Sequence, residues 1–186
     1  MNPFDLVVVG GGAAGFMTAV TAAENGVKRI IILEGSSKLM EKVRISGGGR
    51  CNVTNASWIP SELAENYPRG GFQLLESFNR FAAGDVFDWF EKRGLNLKIE
   101  ADNRVFPVSD SSLDVISCLK KNAINKGVEI STKFFVKEIF KTSDNLFTIF
   151  NSEKISIIAK NIILSTGGHP SGHKFCLLYT SPSPRD

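Results

Sequence analysis

The sequence predicts an α/β fold built on a parallel sheet, and three observations carry that prediction. A β-branched run, Leu6-Val-Val-Val9, passes directly into Gly10-Gly11-Gly12. An Ala-rich, helix-favouring stretch from Ala13 to Asn25 follows and is closed by Gly26. A second apolar run, Lys28-Arg-Ile-Ile-Ile-Leu33, then ends at Glu34. Strand, glycine turn, helix and strand within about thirty residues make a βαβ unit, with parallel strands and a right-handed crossover.

The remaining elements follow in order. Gly35 to Gly71 has few periodic apolar positions and a second glycine cluster, Ser46-Gly-Gly-Gly49, so it reads as a long irregular segment of the kind that carries function. Phe72–Phe81 and Asp85–Arg93 read as helices, the second with Asp85 as N-cap and Gly94 as stop. Leu95–Glu100 and Arg104–Val108 form a hairpin across Ala101-Asp-Asn103. Ser111–Lys126 is an amphipathic helix with Leu113, Ile116, Leu119, Ala123 and Ile124 as its apolar positions. Val128–Ser131 is a third parallel strand. Phe134–Lys141, Leu146–Phe150 and Ile155–Ile158 alternate as an antiparallel meander, and Asn161–Thr166 returns as an apolar strand ending in Gly167-Gly168.

Composition narrows the function classes. The 186 residues carry 22 basic and 19 acidic side chains, a net charge of +3, and 42% hydrophobic residues. That supports a packed core and gives no electrostatic case for nucleic acid or an anionic membrane. No apolar run approaches the roughly 20 residues that span a bilayer. The start, MNPFDLVVVG, lacks the pattern of an export signal, and the three cysteines form neither CxxC nor zinc spacing. A cytoplasmic protein without a metal site, acting on a small molecule, is expected; oligomeric state is not written in the sequence. The segment Cys176-Leu-Leu-Tyr-Thr-Ser-Pro-Ser-Pro-Arg-Asp186 has no structural period and matches the translated read-through of a sequencing adapter. Residues 176–186 are set apart as an artefact tail, and the natural chain is expected to continue past Phe175.

Gly10-x-Gly12-x-x-Gly15 between strand and helix is the pattern that admits a dinucleotide. Gly10 allows the sharp turn, Gly12 lets the backbone approach a pyrophosphate, and Gly15 lets helix and strand pack closely. Glu34 ends the second strand 19 residues after Gly15, where a carboxylate accepts hydrogen bonds from a ribose diol and repels a 2′-phosphate. This pattern alone leaves FAD and NAD open. The meander between parallel strands favours FAD, because it is typical of the two-dinucleotide-binding flavoproteins. Ser165-Thr-Gly-Gly168 resembles the small-residue strand end of that superfamily. In Lys42-Val-Arg-Ile-Ser-Gly-Gly-Gly-Arg-Cys-Asn-Val-Thr-Asn55, the glycines offer backbone amides to an anion. Arg50 offers a permanent charge for pyrophosphate or reduced flavin, and Asn52, Thr54 and Asn55 offer donors and acceptors.

The string SGGGRCNVTN resembles the signature of the bacterial aminoacetone-oxidase-type FAD-binding flavoproteins, glutathione-reductase-like proteins some of which reduce bile-acid enones. GGGAAGFMTA, ENYPRGG at 65–71, RVFPVSD at 104–110 and STGG at 165–168 are similar to further blocks of that family in its order. The resemblance implies a Rossmann-like FAD-binding domain over 1–175, truncated before its closing segment and substrate domain. It implies that Gly10, Gly12, Ala13, Ala14, Gly15, Glu34 and Gly35 surround FAD. It adds Lys42, Ser46, Gly47, Gly48, Arg50, Cys51, Asn52, Thr54, Thr166 and Gly167 to that set, with Val136 binding adenine through its backbone. Asn103 stands where the family usually has glycine, and asparagine tolerates the left-handed turn required there.

The expected activity is a FAD-dependent oxidoreductase passing a hydride between NAD(P)H and an organic substrate. An O₂-using amine or aminoketone oxidase and a non-catalytic flavin-binding sensor or assembly protein are the alternatives. No residue presents itself as acid, base or nucleophile: Cys51 reads as packing, His169 has no partner, and Arg104 and Phe106 face the flavin or the substrate, or pack their own hairpin. Without its closing segment the chain is expected to hold FAD weakly or not at all.

Overall fold

The computed structural model describes residues 2–177. In chain order these form β1 (Leu6–Val9), α1 (Ala13–Glu24), β2 (Ile30–Leu33), α2 (Glu41–Ile45) and a 3₁₀ turn over Ser46–Gly49. β3 (Thr54–Asn55), α3 (Pro60–Glu65), α4 (Gly71–Arg80), α5 (Ala83–Glu91), β4 (Leu97–Ile99), β5 (Arg104–Pro107) and α6 (Ser112–Asn125) come next. β6 (Glu129–Ser131), β7 (Val136–Lys141), β8 (Phe147–Asn151), β9 (Ser156–Ala159), β10 (Ile162–Leu164) and α7 (Pro170–Leu177) complete the chain. Among the described residues two compact units result, one of 2–41 with 119–177 and one of Lys42–Cys118.

The first unit holds the parallel sheet, in the order β10-β1-β2-β6. Leu6 to Val9 pair in register with Ile30 to Leu33, and Val7 to Val9 with Ile162 to Leu164. Both central strands are buried on both faces, which explains their unbroken apolar runs. The antiparallel β7-β8-β9 meander shares one core with the sheet: Val136, Ile139 and Ile149 pack with Val7, Val9, Ile31 and Leu33. α1 buries Gly15, Phe16, Ala19 and Val20, a stripe at helical spacing. The fold class is the expected one, a Rossmann-like α/β domain with a βαβ unit and a meander.

The second unit carries the β3-β5-β4 antiparallel sheet with helices around it. Its hairpin turns where expected, and Asn103 takes the left-handed φ of 63°. Three expectations need correction. The 35–71 segment is not irregular: it folds into α2, the 3₁₀ turn, β3 and α3, elements too short to show a period. Asp85 is not the N-cap of α5. Ala82 occupies that place, and Asp85, three residues on, accepts the Ala82 N–H at 2.8 Å, which is half of a capping box. On α6, Leu113 and Ile124 are exposed, while Val115, Cys118, Leu119 and Ala123 are buried. At the other end, Cys176 and Leu177 belong to α7. Residues 178–186 of the segment set apart as a tail lie outside the described residues. No helix among the described residues is long and apolar enough to cross a membrane.

Candidate cofactor site

The glycine turn after β1 sorts its residues by what surrounds them. Gly10 has φ +119°, and a Cβ there would lie 2.4 Å from the Ser165 carbonyl oxygen. A Cβ on Gly15 would lie 2.0 Å from the Gly10 carbonyl oxygen. Packing therefore excludes a side chain at both. Gly12 is different: its φ of −88° suits any residue, and a Cβ there would meet nothing within 4 Å. The fold does not need glycine at 12, so the open ground before α1 is space that a ligand can use. No side chain caps α1 and no acid sits in its first turn, which leaves amide donors and a partial positive charge facing that space. Ala13 and Ala14 are exposed there.

Glu34 reaches back to this turn. Its Oε2 accepts the Gly11 N–H at 2.8 Å and its Oε1 accepts the Ser36 N–H at 2.8 Å. The carboxylate expected to hold a ribose thus also braces the turn, and an ionised carboxylate retains further lone pairs for hydroxyl donors. Next to it, a Cβ on Gly35 would lie 2.9 Å from Phe135 Cδ2, and the buried Val136 opens β7 opposite Asn151. Thr166 accepts the His169 N–H at 3.3 Å through its carbonyl, and Gly167 takes a φ of 59°. Ser165, read in the sequence only as part of a small-residue strand end, contacts the glycine turn directly. Its Oγ lies 3.0 Å from the Gly10 carbonyl and 3.1 Å from that of Val9. The available signal was a hydroxyl at the end of an apolar strand beside a glycine pair.

The second unit presents its set separately. Lys42 is exposed on α2, and the Ser46 hydroxyl donates to the Val43 carbonyl at 2.8 Å. Gly47, Gly48 and Gly49 are all left-handed, with φ of 55°, 69° and 89°. Arg50 stands with its guanidinium 3.9 Å from the centre of the buried Phe106 ring. Its Nη1 donates to Glu100 and, at 3.3 Å, to Asp110. Glu100 chiefly holds the guanidinium firmly protonated. Two carboxylates therefore take up the charge that the sequence offered to a cofactor. Lys98 also donates to Asp110, and it, ahead of Arg50, holds the Asp110 carboxyl below the usual aspartate range. Cys51 is buried with φ +63°, and burial pushes its thiol up, away from a neutral-pH thiolate. Asn52, with its amide nitrogen turned inward, donates to Thr54 at 2.9 Å and Val105 at 3.2 Å, and Thr54 pairs with Val105 across β3 and β5. Arg104 bonds Asp102 at 2.7 Å, and its guanidinium lies 5.3 Å from the centre of the buried Phe106 ring. His169 is exposed, with Nδ1 2.8 Å from the Ser171 hydroxyl.

Comparison with known proteins places this geometry. The family model of the HI0933-like protein Rossmann domain matches residues 4–173. Among curated proteins, the chain is 30% identical over 165 residues to the 3-dehydro-bile acid delta(4,6)-reductase of Clostridium scindens, covering 88% of this chain and 39% of that one. It is 25% identical over 168 residues to the ribosomal RNA dihydrouridine synthase of Escherichia coli, covering 90% and 40%. The chain thus spans about two-fifths of the length of these relatives. Among solved structures, THI4 of Thermovibrio ammonificans superposes with a TM-score of 0.66 at 12% identity, covering 97% of this chain and 64% of that one, which shows a shared fold. The match along almost the whole chain means that this protein belongs to the HI0933-like Rossmann-domain family, a family of FAD-binding flavoproteins.

Proposed function

We propose that residues 1–175 form the FAD-binding part of an oxidoreductase that reduces carbon–carbon double bonds conjugated to a carbonyl, drawing on NAD(P)H. The observation that carries the cofactor is the open ground at Gly12, where the φ suits any residue and a Cβ would meet nothing within 4 Å, directly before the uncapped start of α1. Gly10, Gly12, Ala13, Ala14 and Gly15 would present the amides opening α1 to the diphosphate, and Glu34 its remaining lone pairs to the ribose. Gly35, Val136, Thr166 and Gly167 line the same strand ends in the first unit. In the second unit Lys42, Ser46, Gly47, Gly48, Arg50, Cys51, Asn52 and Thr54 remain the proposed flavin contacts. With Arg50 paired to Glu100 and Asp110, its part is to stiffen that loop over Phe106 rather than to lend a free charge.

The substrate class comes from the chemistry that two relatives' names share. A delta(4,6) 3-dehydro-bile acid and the uracil ring from which dihydrouridine is made both hold an alkene conjugated to a carbonyl. FAD held by the residues above would supply two-electron chemistry between a nicotinamide and the conjugated alkene. A small molecule is the proposed substrate; Arg50, Lys98 and Arg104 each pair with neighbouring carboxylates.

The test is spectroscopic. Protein saturated with FAD and mixed anaerobically with NADH or NADPH should bleach at the flavin band, and the colour should return on adding a conjugated enone. Bleaching reversed by air but not by the enone would favour an oxidase. Full-length protein that takes up no FAD would defeat the proposal.

A further inference from the structure

The carbonyl of Gly10 and the N–H of Gly11 are two ends of one planar peptide unit. Both ends are held by side chains. Ser165 Oγ lies 3.0 Å from the Gly10 carbonyl and 3.1 Å from that of Val9; the Val9 carbonyl already accepts the Ser165 N–H, which leaves the hydroxyl proton for Gly10, and Glu34 Oε2 accepts the Gly11 N–H at 2.8 Å. The two side chains come from the two strands that flank β1: Ser165 directly follows β10 and Glu34 directly follows β2. A peptide between two glycines has no side chain of its own to resist rotation about its flanking bonds. Turning it over would reverse carbonyl and amide and re-aim the backbone that leads into Gly12 and α1.

We propose that Ser165 is a positioning residue for dinucleotide binding: with Glu34 it forms a two-point clamp that fixes the Gly10–Gly11 peptide, and so the direction of the amides opening α1. The Ser165 half does not depend on the carboxylate that a ribose would also use. A hydroxyl suits the place. Its oxygen lies 2.9 Å from where a Gly15 Cβ would stand, so it fills the hollow between strand end and helix as well as donating. The ligand part of the proposal rests on the dinucleotide reading above; the clamp itself rests on distances alone.

Ser165→Ala removes the donor. Ser165→Cys keeps the volume but replaces a good donor with a weak one. Two measurements on the whole chain decide between donor and volume: amide hydrogen exchange at Gly11 without ligand, and affinity for ADP by calorimetry. Both variants should speed Gly11 exchange and weaken ADP by about five- to tenfold, the scale of one lost hydrogen bond. Exchange at Ile32 in the core of β2 should stay as in the wild type, which a general loss of stability would not allow. Wild-type Gly11 exchange in either variant would overturn the clamp, and unchanged ADP affinity would overturn its role in binding. If the wild type and Gly12→Val alike bind no ADP, the dinucleotide reading itself fails, whatever Ser165 does to Gly11.

Discussion

At Gly10 and Gly15 glycine is demanded by what stands against the backbone, whereas at Gly48 and Gly49 it is demanded by the backbone's own left-handed course. A Cβ on Gly15 would sit inside contact distance of a carbonyl oxygen, but one on Gly48 or Gly49 would meet nothing within 4 Å. The neighbourhoods differ in charge as well. The first turn leaves uncapped amides facing open space, with its nearest carboxylate turned onto the turn itself. The second run leads into an arginine whose charge is already matched by two carboxylates. Two glycine clusters that look alike in sequence thus differ in physical cause: contact with neighbouring backbone at Gly10 and Gly15, a left-handed course in open space at Gly48 and Gly49.

Substitution separates them. Gly15→Ala should be the most damaging change, because the blocking atom is backbone and cannot swing aside. A cost of about 3 kcal/mol is expected from overpacking of this kind, read as a fall of roughly 10 °C in thermal unfolding. A variant as stable as the wild type would show that the turn yields, and the contrast with Gly48 would be lost. Gly12→Val should do the opposite of Gly15→Ala: thermal unfolding within about 2 °C of the wild type, since a side chain there meets nothing, and FAD affinity lowered by about a hundredfold or more, on the scale of losing diphosphate contacts to several amides. Equal FAD binding by wild type and Gly12→Val would move the cofactor away from this turn.

The turn was legible because its causes are local. Strand, glycines, helix and closing acid lie in one stretch of sequence, and each glycine has a fixed offset. Asn103 was legible for the same reason, since a hairpin tip declares its own φ. The partners of Arg50 were not. Glu100 and Asp110 lie 50 and 60 residues away, and an ion pair leaves no periodic trace. The Glu34 bond to Gly11 was hidden by its own motif, because an acid at that position is explained by a ribose before any other partner is sought. Ser165 was hidden by distance, 155 residues from the carbonyl it holds. The short α2 and α3 failed differently: five or six residues give no room for a 3.6-residue period to repeat.

Gly48→Ala sharpens the conformational half of the contrast. With open space around it, the only penalty is an L-residue in the left-handed region, about 1 kcal/mol. Gly48→Asn should cost less than Gly48→Ala, because asparagine visits that region more readily. Denaturant unfolding of the pair measures the difference. If alanine cost several kcal/mol, crowding would rule here too, and the two clusters would be one case.

The smallest effect belongs to the charges behind Arg50. The Asp110 carboxyl titrates below the usual aspartate range, through Lys98 first and Arg50 after it. A carboxyl whose pKa is lower in the folded state adds stability at any pH above its unfolded value, and that contribution drains away as the pH falls through the folded value. Acidification from neutrality to below the carboxylate range should therefore weaken the second unit, and Asp110→Asn should remove that part of the pH slope. The step will be slight and should shrink further in salt, since these groups face solvent. An NMR titration of the Asp110 carboxyl measures the first claim directly. A midpoint at the ordinary aspartate value would mean that Arg50 is held by Glu100 alone, leaving its charge less fully spent and its loop closer in kind to the first turn.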